Sequence, residues 1–138
     1  MSVFVDTSAL YALLVANEEG HDELSATFRD LLDAGRVLLS TNYVLIEASA
    51  LLQSRFGLQA VRDLEARIVP LLGIRWIDES LHRRSVERLF KEDRRRLSLV
   101  DCSSFIVMEE EGIREALALD ADFEDQGFRL LPGGEGGS

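Results

Sequence analysis

The sequence is poor in the residues that staple or punctuate a fold. Its 138 residues contain one cysteine, Cys102, and two prolines. No internal disulfide is possible, so stability must come from a packed core. Two histidines, His21 and His82, and the single thiol give no ligand set with zinc spacing. No apolar run approaches the ~20 residues that cross a bilayer. The amino terminus has no basic region and enters a strand pattern at once, so no secretory leader is expected. With so little cysteine, a cytoplasmic protein is the expectation. A P-loop, HExxH, CxxC and GxSxG are all missing, which removes support for those chemistries.

What is present fits one folded domain. Hydrophobic residues make up 46% of the chain, enough for a real core at this length. The formal charge is −10, which by itself argues against a nucleic-acid partner. The distribution is uneven, however. Between His82 and Arg96 the chain carries Arg83, Arg84, Arg88, Lys91, Arg94, Arg95 and Arg96 against three acids. That stretch is locally +4 and the remainder −14. The excess acid is therefore either scattered solvating charge or concentrated for cations.

Residues 2–5 read as a buried strand, followed by a helix over 8–17 that Gly20 ends. A second helix covers 22–34, with Leu24, Phe28, Leu31 and Leu32 on one face. A strand follows at 36–40, then a helix capped by Thr41 or Asn42 and running to Phe56. Leu58, Val61, Leu64 and Ile68 mark a fourth helix that Pro70 ends. Residues 73–78 read as a strand, 80–93 as an exposed basic helix, and 98–108 as a helix stopped by Gly112. Strands are expected at 115–120 and 128–132, with a brief turn or helix at Phe123. Strands separated by helices imply parallel pairing through right-handed crossovers. The expected fold is a three-layer α/β domain over 1–132, with about five short parallel strands flanked by helices. Residues 133–138 form a Gly-rich tail that is expected not to pack.

Four acids stand out in this frame. Ligands of open parallel sheets gather beyond the carboxyl ends of the strands. Asp6 and Asp120 both fall at such ends, and adjacent first and fourth strands would make them neighbours. Glu47 shares its helix face with Val44, Ala48 and Leu51, so it should point inward. Asp101 lies in the first turn of a helix, amid Leu97, Leu99 and Val100. Each has a local use as well. Asp6 can cap the first helix, and Asp101 stands three residues after Ser98 at capping-box spacing. Asp120 can cap the following turn, and Asp122 can form an Asx-turn. Glu47 is the hardest to explain locally, because its helix offers no fixed base; Arg55 is two turns away on another face. If the four converge, each pair at ~5 Å repels by ~3 kcal/mol at an effective dielectric of ~20. Such a cluster calls for cations or raised pKa values. An all-oxygen cage suits Mg²⁺ or Mn²⁺.

The stretches VFVDTSAL, TNYVLIEASALL, LSLVDCSSFIVMEEEG and ALALDADFEDQGFRLLP occur in this order. Together they resemble the PIN-domain nucleases, and within them the VapC-type toxins of type II toxin–antitoxin systems. The resemblance spans residues 2 to about 132. It implies that Asp6, Glu47, Asp101 and Asp120 form an acidic catalytic pocket binding Mg²⁺ or Mn²⁺, with Asp6 and Asp101 nearest the metal. Thr7 and Ser8 would supply supporting hydroxyls. The family often has Thr or Ser two residues before the fourth acid, whereas this chain has Ala118. That leaves open whether Asp120 or Asp122 is the main fourth carboxylate; Asp120, read at the strand end, is taken first, with Asp122 behind it.

The expected reaction is hydrolysis of an RNA phosphodiester by metal-activated water, leaving a 5′-phosphate and a 3′-hydroxyl. Glu47 would orient or deprotonate the water. The basic stretch would lie at the rim, with Arg94, Arg95 and Arg96 on the RNA backbone, unless it is only a solvated helix face. The resemblance also implies a homodimer and a cognate antitoxin. The apolar YALLVAN of the first helix either serves such a surface or is all core. A haloacid-dehalogenase-type phosphohydrolase also begins with an apolar strand and Asp. It typically has a second Asp where this chain has Ser8, and a downstream Lys. Two other readings stay open: an RNA-processing PIN nuclease outside any toxin pair, and a non-catalytic RNA- or protein-binding PIN-like module.

Overall fold

The structure, a computed structural model, describes residues 1–133; residues 134–138, most of the expected Gly-rich tail, lie outside the described residues. Five strands form one sheet: β1 (Ser2–Val5), β2 (Val37–Thr41), β3 (Gly73–Arg75), β4 (Glu115–Leu117) and β5 (Arg129–Leu131). Their spatial order is β3-β2-β1-β4-β5, and every pairing is parallel. Among the described residues seven α-helices flank it: α1 (Thr7–Leu14), α2 (His21–Asp33), α3 (Asn42–Phe56), α4 (Leu58–Asp63), α5 (Glu79–Glu92), α6 (Leu99–Glu111) and α7 (Asp122–Asp125). The expected parallel α/β architecture is the one found. None of these helices is long and apolar enough to cross a membrane.

The chain runs outward from β1 to β2 and β3, then returns to place β4 on the other side of β1. The strand order therefore reverses between β1 and β4, where a crevice opens at the carboxyl ends. In register, Val5 faces Leu117, and the next amide, that of Asp6, donates to the Leu117 carbonyl at 3.1 Å. The first carboxylate is thus delivered directly into the crevice. Val3, Phe4 and Val5 are fully buried, which explains why this central strand is apolar on both faces.

Four boundaries differ from expectation. The segment after Gly57 is not one helix: α4 passes into a π-turn over Leu64–Ile68 and a 3₁₀ turn over Val69–Leu71. Pro70 sits within that last turn, where its missing amide is tolerated. β3 stops at Arg75, so Trp76 stands out in solvent. β4 stops at Leu117, three residues before Asp120. α1 ends at Leu14; its residues are apolar all round because Ala9, Leu10, Tyr11 and Ala12 are buried where α1 packs between α2 and α3.

An aromatic cluster holds three elements together at the crevice. Phe4 of β1, Phe105 of α6 and Phe123 of α7 are all fully buried. Phe123 meets Phe105 edge-on at 5.2 Å and lies 6.4 Å from Phe4 between ring centroids. Such contacts add to the area each ring buries. Each ring lies close in sequence to an acid of interest: Asp6, Asp101 and Asp122.

Candidate active site

Asp6 is a cap that also lies within electrostatic reach of Asp101. It takes the N-cap position of α1. Its Oδ2 accepts the Ser8 hydroxyl at 2.9 Å and the Ser8 amide at 3.3 Å. The same hydroxyl accepts the Leu119 amide at 3.0 Å, so Ser8 ties Asp6 to the segment after β4. Asp6 is only 4% exposed. Burial pushes its carboxyl up to about 7, against the pull of the Ser8 hydrogen bonds, and the charge of Asp101 adds to the rise. Thr7 is buried too, and its Oγ1 has no hydrogen-bond partner among the described residues.

Asp101 completes a capping box with Ser98. Its amide donates to Ser98 Oγ at 3.0 Å, and its Oδ2 accepts the Ser98 amide at 3.0 Å. The cap and the crevice share one side chain. Asp101 is pushed up first by burial, against the Ser98 hydrogen bonds, with the charges of Glu47 and Asp122 adding to the effect. Glu47 is therefore close enough for Asp101 to feel. It is half-buried on the α3 face that carries the buried Val44 and Ala48. Among the described residues no Lys or Arg pairs with it; Arg55 instead donates to the Tyr11 hydroxyl at 3.0 Å.

Asp120 lies in the loop beyond β4, and its Oδ1 accepts the Asp122 amide at 2.9 Å. Burial raises it, and the charge of Asp122 adds to the rise. Asp122 opens α7 and is 5% exposed, anchored by the buried Phe123 beside it. One carboxylate oxygen each from Asp101, Asp120 and Asp122 lie within 4.8 Å of one another. With the strand ending at Leu117, the strand-end argument that ranked Asp120 ahead of Asp122 loses its premise. Both carboxylates face the same small space.

The crevice thus gathers Asp101, Asp120 and Asp122 closely, with Asp6 and Glu47 within electrostatic reach of Asp101. Three carboxylates at these separations repel strongly. Their donors are all hard oxygens, the set that suits a divalent cation such as Mg²⁺ or Mn²⁺.

The basic stretch is arranged differently from a bare cationic face. Arg83 pairs with Glu79 and Arg88 with Glu92 within α5. Arg84 and Arg88 reach Glu110 and Glu109 of α6. Glu109 and Glu110 face the basic helix, while Arg75 of β3 pairs with Glu110 and Glu111. Arg94 and Arg96, in the loop before α6, turn onto Asp122 and Asp125. Lys91 and Arg95 are exposed and make no ion pair among the described residues. Asp125, not singled out from the sequence, takes part in this pairing.

Comparison with known proteins agrees with this fold. Residues 3–129 match the PIN domain family. The 23S rRNA-specific endonuclease VapC20 of Mycobacterium tuberculosis is 33% identical over 127 residues, covering 91% of this chain and 95% of that protein. The crystal structure of the same protein, described as a sarcin–ricin loop cleaving toxin, superposes with a TM-score of 0.79 over 91% of this chain and 95% of that one. PAE2754 of Pyrobaculum aerophilum shares the fold at 17% identity and a TM-score of 0.68, over 96% of this chain and 90% of that one. FitAcB of Neisseria gonorrhoeae does so at 13% and 0.67, over 94% and 96%. This chain belongs to the PIN domain family, among its VapC-type toxins.

Proposed function

We propose that the chain is a metal-dependent endoribonuclease, the toxin of a toxin–antitoxin pair, acting in the cytoplasm. The observation that carries this reading is the convergence of Asp101, Asp120 and Asp122 beside Asp6 and Glu47. Asp6, Asp101, Asp120 and Asp122 would hold Mg²⁺ or Mn²⁺. When bound, such a cation acidifies water and offsets phosphate charge. Among the described residues Glu47 carries no ion-pair partner, which leaves its carboxylate available to orient an attacking water and accept its proton. Ser8 fixes the rotamer of Asp6, and the unpartnered Thr7 hydroxyl is available to the substrate side of the site. Arg94, Arg95 and Arg96 lie in the loop entering α6 and meet the RNA backbone.

Large ribosomal RNA is the first substrate to test, because VapC20 acts on 23S rRNA. The purified chain should cut an RNA bearing the sarcin–ricin loop in Mg²⁺ or Mn²⁺ and stop on chelation. The products should carry a 5′-phosphate and a 3′-hydroxyl. Cleavage that persists in chelator, or a 2′,3′-cyclic phosphate end, would falsify the metal–water reading.

The chain is further proposed to pair with a second copy and with an antitoxin that covers the acids. Trp76 and Ile46, 70% and 65% exposed, flank a groove with Leu45 and Ala50, the kind of apolar surface that proteins cover. Light scattering of the chain alone should return twice the 15.4 kDa mass; a monomer at micromolar concentration would rule out the dimer.

A further inference from the structure

Asp122 is the most buried member of the close carboxylate trio, with 7% of its side chain exposed. A carboxylate so placed must be paired or neutralised. Two guanidinium groups share that task, and both approach the same oxygen. Arg94 Nη2 lies 3.4 Å and Arg96 Nη2 3.2 Å from Asp122 Oδ1. The outer side of the pair is held by Asp125 Oδ2, at 3.4 and 3.9 Å. Two charges of each sign therefore close on one another and bridge the loop before α6 to α7.

We propose that Arg94 and Arg96 form a reversible clamp that occupies Asp122 in the resting chain and competes with the divalent cation for it. The proposal rests on the reading of the acid cluster as a cation site, and it assigns that site a form of regulation. Three features suit a clamp that opens. The N···O distances exceed the ~2.7–2.9 Å of strong charge-assisted bonds. Arg96 is 70% and Arg94 37% exposed on the side chain, so water can replace the lost contacts. A phosphodiester also offers a guanidinium the bidentate partner that a single shared carboxylate oxygen does not. RNA arriving at the loop would draw the arginines outward and free Asp122 for the cation. Full cation occupancy would then be coupled to substrate.

The test is the affinity for Mn²⁺ alone, without RNA, followed by calorimetry or by the electron paramagnetic resonance of free Mn²⁺. Arg94→Ala/Arg96→Ala should bind Mn²⁺ about tenfold more tightly than the natural chain, equivalent to about 1.4 kcal/mol. Arg94→Gln/Arg96→Gln keeps the aliphatic stems and should do the same if the alanine variant folds poorly. Arg95→Ala removes the same charge from the same loop but makes no contact with Asp122; its affinity should change by less than about twofold. Unchanged or weaker binding in both double variants overturns the clamp and leaves the cation site standing. Equal tightening by Arg95→Ala overturns it as well, since general charge would then be the cause. No saturable Mn²⁺ binding by any of the proteins overturns the cluster reading itself, and the clamp with it.

Discussion

Asp101→Asn leaves RNA uncut, with single-turnover cleavage falling by at least about 10³-fold, the scale of losing a charged group at a reacting centre. The chain keeps its fold and loses little stability. Under the proposed function Asp101 would serve two roles that can be separated, because the capping box ties it to Ser98 in both directions. Asparagine retains an oxygen for the Ser98 amide, so the helix start survives. It also removes a charge that burial, Glu47 and Asp122 all penalise, which offsets the weaker hydrogen bond. Ser98→Ala makes the opposite cut. It deletes the hydroxyl that accepts the Asp101 amide, costs about 1 kcal/mol of stability, and leaves the carboxylate in place. Cleavage by Ser98→Ala should stay within a few-fold of the natural chain, with a lowered midpoint in thermal melting. If the two variants lose activity and stability in the same proportion, Asp101 is only a cap, and the site loses its central member.

Local patterns carried the elements: alternating helix and strand signals gave the parallel sheet, and the Thr41 and Ser98 caps mark helix starts as observed. Convergence of the acids was accessible because Asp6 follows a central strand and Glu47 sits on an apolar helix face. Three things had no local signal. The end of β4 depends on its pairing with β1 and β5, which stops at Leu117, although the apolar run continues to Leu119. The place of Asp122 depends on Phe123 inserting between Phe4 and Phe105, contacts more than a hundred residues apart for one pair. The direction of Arg94 and Arg96 depends on where α7 lands. Helix and strand patterns are local in sequence; side-chain destinations across a crevice are not.

Asp6→Asn makes the cation-free protein more stable above pH 7 and changes it little near pH 4. The cause is the buried carboxyl, which rises from its ordinary 3.8 to about 7 in the folded chain. Between those values the folded state holds a proton that the unfolded chain has lost. Stability contributed by Asp6 therefore falls as pH rises through that window, and above pH 7 the chain must keep a charge away from water. Asparagine has no charge to bury. The advantage of Asp6→Asn over the natural chain should widen from near zero at pH 4 to a ceiling of about 4 kcal/mol at pH 8. Urea unfolding in chelator at the two pH values measures it. Adding Mn²⁺ at pH 8 should then narrow the gap by stabilising the natural chain, because the cation supplies the countercharge that the fold withholds from Asp6. A gap that stays constant with pH, or that widens toward acid, would mean that the carboxyl is already satisfied by Ser8 and needs no cation.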